Sequence, residues 1–159
     1  MTYTADHGEV SARSQDATTV EQHTLRGGTI ARFTATGSLT GGRFGLYEWH
    51  MKPHSGGPSA HFHKTFAESF YVISGAVCLY DGADWTDAGP GDFKYVPEGG
   101  IHAFRNDSDQ PASMLILFTP GIARETYFRE LADIAATGRT LTGDEWAGLF
   151  AQHDQYRAQ

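Results

Sequence analysis

Three histidines and one glutamate occur at spacings that suit a single metal ion: His61, His63, Glu68 and His102. In a β-strand, alternate side chains point to the same face, so His61 and His63 project together with Cα atoms roughly 7 Å apart. Two imidazoles at that separation can converge on one ion, each at about 2 Å. The alternative is a pair of solvated histidines on an exposed strand, which the fixed patterns around Glu68 and His102 disfavour.

The middle of the chain has the pattern of short β-strands separated by Gly- and Pro-containing turns. Strands at such short and regular intervals indicate a sandwich or a barrel. The predicted strands cover residues 29–34, 43–51, 69–80 with a break at Gly75, 85–86, 93–96, 102–105 and 112–118.

The C-terminal part of the chain changes from a strand pattern to a helical pattern. Apolar residues at helical spacing predict one helix over about 121–136. Thr142 and Glu145 match a capping box, in which the threonine caps a helix and the glutamate reaches back to it. This predicts a second helix over about 142–154. Both helices are expected to pack outside the β domain.

The length of 159 residues fits one domain that can bury its own core. Residues 1–24 are polar and weakly patterned, and are predicted to form a flexible N-terminal arm. Residues 25–159 are predicted to form a single domain that includes the two helices. A hydrophobic content of 40% with 19% charged residues is typical of a globular chain.

Charge and hydropathy exclude several classes of partner. The net charge is −7, and Lys and Arg do not cluster, which argues against nucleic acid or an anionic membrane as partner. No apolar stretch approaches the ~20 residues needed to span a bilayer. The first residues lack the basic and apolar regions of a signal peptide. We therefore expect a cytoplasmic protein that acts on a small molecule.

Two motifs around the candidate ligands resemble the double signature of the cupin superfamily. Residues 61–75 have the pattern His-x-His, four residues, Glu, six residues, Gly. Residues 91–106 have the pattern Gly, five residues, Pro-x-Gly, two residues, His, three residues, Asn. One departure is visible, because the glycine usual six residues before the first histidine is replaced by Ser55. The resemblance covers about residues 29–119.

The resemblance implies a mainly β fold, a double-stranded β-helix of the jelly-roll type, with the metal inside the barrel. It implies that the three histidines and Glu68 bind one divalent metal. The helical segment after Pro120-Gly121 looks like that of small bacterial cupins similar to quercetin 2,3-dioxygenases. Because cupins are often dimers, a homodimer is expected.

Three neutral imidazoles and one carboxylate leave one or two positions open on a five- or six-coordinate metal. Such a site suits Fe(II), Mn(II), Ni(II), Co(II) or Cu(II), which can bind an oxygen-containing substrate and O₂. Zn(II) fits less well, because four protein ligands would close its tetrahedral shell. Glu68 is also the candidate catalytic residue, since a carboxylate that leaves the metal can take a proton from an enol or phenol.

Apolar side chains around the ligands predict an apolar substrate pocket, although barrel core is the better interpretation for most of them. The candidates are Tyr47, Trp49, Met51, Phe66, Phe70 and Phe104. Phe70 and Phe104 are in phase with ligands, Phe66 is in the loop before Glu68, and the others are on a further inner face. Such a pocket would suit a flat, hydrophobic substrate such as a flavonol or another enol. Asn106 is in phase with His102 and is expected to hydrogen-bond buried backbone or the ligand side chains.

The sequence leaves three functions open. The first is a metal-dependent, quercetinase-like oxygenase that acts on an enolic or phenolic substrate with O₂. The second is a cyclase, isomerase or lyase in which the metal polarises a carbonyl and O₂ takes no part. The third is a protein that binds a small molecule in the barrel without turnover. Fold alone does not distinguish them.

Overall fold

The computed structural model describes residues 2–158, which form eleven β-strands and two α-helices. Met1 of the predicted arm and Gln159 of the predicted domain lie outside the described residues. The strands are β1 (Gln22–Thr24), β2 (Ile30–Ala35), β3 (Gly45–Met51), β4 (His61–Phe62), β5 (Ala67–Ser74), β6 (Val77–Tyr80), β7 (Trp85–Ala88), β8 (Phe93–Val96), β9 (Ala103–Arg105), β10 (Ala112–Thr119) and β11 (Tyr156–Arg157).

The strands form three antiparallel sheets. The largest has the order β1-β2-β3-β10-β5-β8, and a three-stranded sheet has the order β7-β6-β9. The short strands β4 and β11 pair with each other. Because β10 lies between β3 and β5, the large sheet joins strands that are far apart in sequence. The mainly β architecture with C-terminal helices is as predicted.

The core lies on one face of the large sheet, where burial alternates along the strands. In β3 the side chains of Tyr47, Trp49 and Met51 are buried, while the residues between them are partly exposed. In β10, Ile116 pairs with Tyr47 and Met114 pairs with Trp49. These cross-strand pairs of large apolar side chains stabilise the centre of the sheet.

Two helices follow the last strand of the large sheet, α1 (Arg124–Thr137) and α2 (Gly143–Gln152). The predicted capping box of α2 is present, with Glu145 N donating to Thr142 Oγ1 at 3.2 Å and Thr142 N donating to Glu145 Oε2 at 2.8 Å. In α1 the ring of Phe128 packs on the inner face of the large sheet. Within residues 2–158, no helix combines the length and the apolar character that a membrane crossing requires.

Both helices are shorter than the predicted ranges of 121–136 and 142–154. The first begins later because the N–H of Gly121 donates to the carbonyl of Gly42 at 2.9 Å, which holds the chain against a neighbouring loop. The second ends before Asp154, which has a left-handed φ of 51°. The start of α1 is therefore set by a tertiary hydrogen bond, and α2 ends before a residue whose backbone is not helical.

The sheet begins inside the range predicted for the N-terminal arm. Residues 22–24 form β1 and pair with β2. The carboxylate of Glu21 accepts two hydrogen bonds from Arg129 of α1, both at 2.7 Å. The residues from 2 to 20 contain no strand or helix. The division of the chain into an arm over residues 1–24 and one domain over residues 25–159 stays a prediction, although β1 lies within the range given for the arm.

Gly75 makes the turn between β5 and β6 in a conformation that other residues rarely adopt. Its φ is 73°, in the left-handed region. A Cβ at this position would also collide with the carbonyl of Pro111 and with Ala112, at the start of β10. Both the turn and the close approach of β10 therefore require glycine here.

We predict that Gly75→Ala lowers the free energy of unfolding by about 2 kcal/mol or more, from backbone strain and the collision together. Gly91→Ala is the matched control, because Gly91 also has a positive φ, of 93°, but a Cβ there meets no described atom within 4 Å. Gly91→Ala should lower the free energy of unfolding by about 1 kcal/mol, from backbone strain alone. Denaturant unfolding of both variants measures the difference, and equal costs would show that the collision is relieved without penalty.

Candidate metal centre

The four candidate ligands come together at one place inside the barrel. His61 begins β4, His63 follows it, Glu68 is the second residue of β5, and His102 immediately precedes β9. One ligand atom from each side chain lies within 4.8 Å of all the others. All four are buried, with exposed fractions of 1–4%. The structure therefore brings together every residue that the sequence predicted as a ligand.

Backbone hydrogen bonds join the two sequence motifs beside this cluster. His61 and His102 form an isolated antiparallel bridge. The distance from His61 N to His102 O is 3.0 Å, and that from His102 N to His61 O is 2.8 Å. The N–H of Gly99 donates to the carbonyl of His63 at 2.7 Å. Because Gly99 has a φ of 82°, its left-handed backbone can turn this N–H toward the first motif. The loops that carry the ligands are thus held to each other by main-chain contacts.

Each histidine ring is oriented by a hydrogen bond from Nδ1 to a backbone carbonyl. The acceptors are Ser59 for His61 at 2.8 Å, Asp154 for His63 at 2.6 Å and Gly100 for His102 at 3.0 Å. A carbonyl oxygen only accepts, so Nδ1 carries the proton in all three rings. In a neutral ring the lone pair is then on Nε2. A backbone carbonyl on the other ring nitrogen is a common support for metal-binding histidines.

The donor set fits a divalent cation. Glu68 Oε2 lies 3.1 Å from His63 Nε2 and 2.8 Å from His102 Nε2. When the rings are neutral, the lone pairs of these oxygen and nitrogen atoms face one another in a buried space. Their mutual repulsion is unfavourable unless a proton or a cation lies between them. Imidazole and carboxylate ligands together suit first-row transition metals.

The charges of the cluster shift its own pKa values. Burial alone would raise the pKa of Glu68, but the charge and hydrogen bond of His102, together with His63, hold it well below its usual value. Burial and the neighbouring histidine charges lower the pKa of His61 to about 3. Burial lowers the pKa of His102, but the charge and hydrogen bond of Glu68 outweigh it and raise the pKa overall. Glu68 is therefore ionised at neutral pH.

The segment after α2 positions His63 from outside the two motifs. The carbonyl of Asp154 accepts the Nδ1–H of His63, and its carboxylate accepts hydrogen bonds from the backbone N–H groups of Lys64 and Thr65. Thr65 Oγ1 also donates to this carboxylate at 2.6 Å. Next along the chain, β11 pairs with β4. This support was not predicted from the sequence, because no local pattern links residues so far apart.

A cavity of about 1010 Å³ opens from the cluster and extends under the two helices. Its wall includes His61 and Glu68 of the cluster. The cavity is also lined by Trp49, Phe104, Ile116 and Phe118 from the barrel and by Arg124, Tyr127, Phe128 and Leu131 from α1. The helices thus pack outside the barrel, as predicted, and also form one side of the cavity.

Two of the six predicted pocket residues line this cavity, Trp49 and Phe104. The other four are buried, and among the described side chains they are not part of its wall. Phe66 stacks on the ring of His63 with centroids 4.2 Å apart, and the ring centroid of Phe70 lies 5.9 Å from that of His102. The Tyr47 hydroxyl donates to Glu125 at 2.9 Å, and Met51 belongs to the core. Strand alternation correctly predicted that these side chains are buried, but it could not predict which of them border the cavity.

Asn106 organises the loop that follows β9. Its Nδ2 donates to the carbonyls of Lys52 and Gln110 at 3.0 and 2.7 Å. Its Oδ1 accepts from the backbone N–H and the hydroxyl of Ser108 at 3.0 and 2.7 Å. Asn106 is itself buried and hydrogen-bonds partly buried backbone groups, close to the first of the two roles considered for it, and within the described residues it makes no hydrogen bond to the ligand side chains.

Arg124 was not predicted as a site residue, although the chain contains a signal for it. Arg124, Tyr127, Phe128 and Leu131 have the spacing of one helix face, and the last three are apolar or aromatic. A charged residue in an apolar stripe is expected to be buried with the stripe, and burial of a charge is rare unless the charge has a partner or a function.

Comparisons with known proteins agree on the fold. Residues 47–118 match the family model for the cupin domain. Quercetin 2,3-dioxygenase of Bacillus subtilis is 30% identical over 114 residues, which are 69% of this chain and 32% of that protein. The match thus spans about a third of the length of this curated relative.

Two solved structures are similar in fold. A sugar phosphate isomerase from a cupin superfamily, from Silicibacter pomeroyi, has a TM-score of 0.58 at 24% identity, over 67% of this chain and 75% of that chain. The polyketide cyclase RemF from Streptomyces resistomycificus has a TM-score of 0.58 at 22% identity, over 69% and 80% of the two chains. At this identity the likeness concerns the fold alone, and it confirms the predicted double-stranded β-helix.

We predict that His61→Ala and His102→Ala each strongly reduce the metal content of the purified protein, because each removes one of the four ligands. Elemental analysis of the protein as isolated, and after incubation with Fe(II), Mn(II), Ni(II), Co(II), Cu(II) or Zn(II), measures this. His54→Ala is the control, since His54 is exposed and pairs with Asp109 away from the cluster. Full metal content in both ligand variants would show that the metal binds elsewhere.

Proposed function

This chain belongs to the cupin superfamily, and from that premise we propose that it is a metal-dependent enzyme that oxidises a flat enolic or phenolic small molecule with O₂. The observation that carries the proposal is the buried cluster of three histidines and Glu68 at the wall of a large cavity. A site of this kind combines a charged reaction centre with space for an apolar substrate.

His61, His63, Glu68 and His102 would hold one divalent transition metal, with Fe, Ni, Mn, Co and Cu better suited than Zn. When bound, such a metal supplies a Lewis acid with coordination positions for oxygen-containing groups. The protein's part is to present three Nε2 lone pairs in fixed directions. It does so through the three Nδ1 hydrogen bonds to backbone carbonyls.

Glu68 is the proposed proton acceptor. Its carboxylate is ionised at neutral pH, so Oε2 has a free lone pair for the proton of an enol or phenol that enters the cavity. Removal of that proton makes the substrate an electron-rich anion, which is the form that reacts with O₂. The neighbouring rings of His63 and His102 limit the positions that this carboxylate can take.

The walls of the cavity support a flat and hydrophobic substrate. Trp49 and Phe104 meet edge to face with centroids 6.1 Å apart, and Phe128 packs against Trp49 from α1. Ile116 and Phe118 add apolar surface from β10. Such walls favour aromatic ligands and exclude water from the reacting atoms.

The likeness to quercetin 2,3-dioxygenase of Bacillus subtilis supports oxidation over the alternatives. Its name describes a dioxygenase reaction on quercetin, a flat molecule with an enolic hydroxyl group, which suits an apolar cavity beside an ionised carboxylate. The shared region is about a third of that protein, so the substrate here is proposed at the level of chemical class.

O₂ consumption by the metal-reconstituted protein with a panel of flavonols and simpler enols and phenols tests the proposal. We expect O₂ uptake that depends on both the metal and the substrate. Product formation under strict anaerobiosis would instead indicate a cyclase, isomerase or lyase. Tight binding without turnover at any metal loading would indicate a binding protein.

We predict that Glu68→Gln retains metal better than it retains activity, because the amide keeps a ligand oxygen but cannot accept a proton. The loss of kcat should be about 100-fold or more, the usual scale for a general base. Glu125→Gln is the control, since Glu125 is a buried carboxylate of α1 that accepts from Tyr47 instead. Metal content and O₂ uptake are measured on the same samples. Equal losses of metal and activity in Glu68→Gln would mean that this residue serves as a ligand alone.

A further inference from the structure

Arg124 is a charged side chain in the wall of the cavity. It is the first residue of α1, its exposed fraction is 3%, and it borders the same cavity as His61 and Glu68. Burial of an ionised group is costly unless a partner of opposite charge or several hydrogen bonds offset the cost. The partners of this guanidinium therefore decide whether it has a purely structural role.

The hydrogen-bond partners of Arg124 are neutral and leave part of the guanidinium unused. Nη1 donates to the carbonyl of His153 at 2.8 Å, and Nη2 donates to the side-chain oxygen of Gln155 at 3.1 Å. The buried Nε has no hydrogen-bond partner within residues 2–158. None of the ion pairs in the described part of the chain involves Arg124. Three of its five N–H groups thus remain without an acceptor.

Aromatic rings hold the guanidinium in place without neutralising it. Its central carbon lies 4.3 Å from the ring centroid of Tyr127. The centroids of Phe66, Phe118 and Phe128 lie at 5.3–5.4 Å. Such cation–π contacts stabilise the charge partly and fix the plane of the group. The cation is therefore pre-organised, because little side-chain freedom remains to be lost when a ligand binds.

The nearby carboxylates are already engaged elsewhere. Glu68 faces the histidine rings, and Asp154 accepts hydrogen bonds from residues 64 and 65. Both are close enough for their charges to raise the pKa of Arg124, although burial lowers it overall. With a divalent ion in the cluster, two cations face two carboxylates, and one positive charge is left in excess.

We propose that Arg124 binds a carboxylate group of the substrate, so that the substrate class is an aromatic or enolic carboxylic acid rather than a neutral flavonoid. One carboxylate oxygen accepts from Nε–H and the other from the free N–H of Nη2, which is the bidentate arrangement that arginine favours. The apolar body of the substrate lies along Trp49, Phe104 and Phe128. This inference deepens the proposed function, on which it rests, by assigning a charge to the substrate of the same site.

Binding of a matched pair of probes tests the inference, using 2-naphthoate and 2-naphthamide, which differ in charge but hardly in shape. We expect the metal-loaded wild-type protein to bind the carboxylate at least about 10-fold more tightly in calorimetric titrations, the scale of a charge-assisted hydrogen-bond pair. Equal affinity for the two probes, including no measurable binding of either, overturns the inference without the need for any variant.

Variants then assign the preference to Arg124. Arg124→Met should bring the ratio of the two affinities close to one, and Arg124→Lys should retain part of it, because the ammonium keeps the charge but not the bidentate edge. Arg129→Met is the matched control, since Arg129 is on the same helix but exposed and paired with Glu21. A preference for naphthoate that survives in Arg124→Met would come from the metal and overturns the inference. If Arg124→Met does not fold, Arg124→Lys decides the question.

The outcomes also separate this inference from the proposed oxygenase activity. O₂ uptake with neutral enols, together with equal affinity for the two probes, would leave the oxygenase in place and overturn the role of Arg124. A carboxylate preference that depends on Arg124, in a protein that consumes no O₂ with any acid tested, would support the role of Arg124 and overturn the oxygenase.

Discussion

The convergence of three imidazole nitrogens and one carboxylate in a buried space is the constraint on which the rest of the structure depends. These atoms repel one another unless a proton or a cation lies between them, so their arrangement must be held by the surrounding protein. The cluster is supported from several directions at once, by the bridge between His61 and His102, the contact of Gly99 with His63 and three Nδ1 hydrogen bonds. Each support is a backbone group, which ordinary sequence changes leave intact.

The barrel and the C-terminal segment contribute different parts of the candidate site. The barrel supplies the four ligands and the aromatic side chains around them. The helices close one side of the cavity and add a buried guanidinium whose charge the protein leaves largely uncompensated. The family model for the cupin domain matches residues 47–118, and Arg124 follows that match. The residues of α1 can therefore vary without altering the four candidate ligands.

Local patterns predicted the parts of the structure that local physics determines. The convergence of His61 and His63, two positions apart at β4, and the capping box at Thr142 depend on neighbours within a few residues, and both are present, although β4 itself ends at Phe62. The cavity depends on contacts across the fold, which periodicity does not encode. Strand alternation therefore placed Tyr47 on the correct face but could not tell that its hydroxyl would face Glu125 rather than the cavity. The place of Arg124 in the cavity wall was not predicted for a related reason, because it depends on how α1 packs on the barrel, although the apolar stripe of α1 contained a signal for its burial.

The hydrogen bond between His63 and Asp154 joins residues 91 positions apart, and it has a consequence for the order of events during synthesis. The strands of the two larger sheets can pair as soon as residue 119 has left the ribosome, because their partners all precede it, whereas β4 must wait for β11. His63 receives its final orientation only after residue 154 has been made and the tail has docked beside β4. A growing chain thus exposes a half-formed chelate until its last segment arrives. The final arrangement of the four candidate ligands is thereby deferred until the protein is nearly finished.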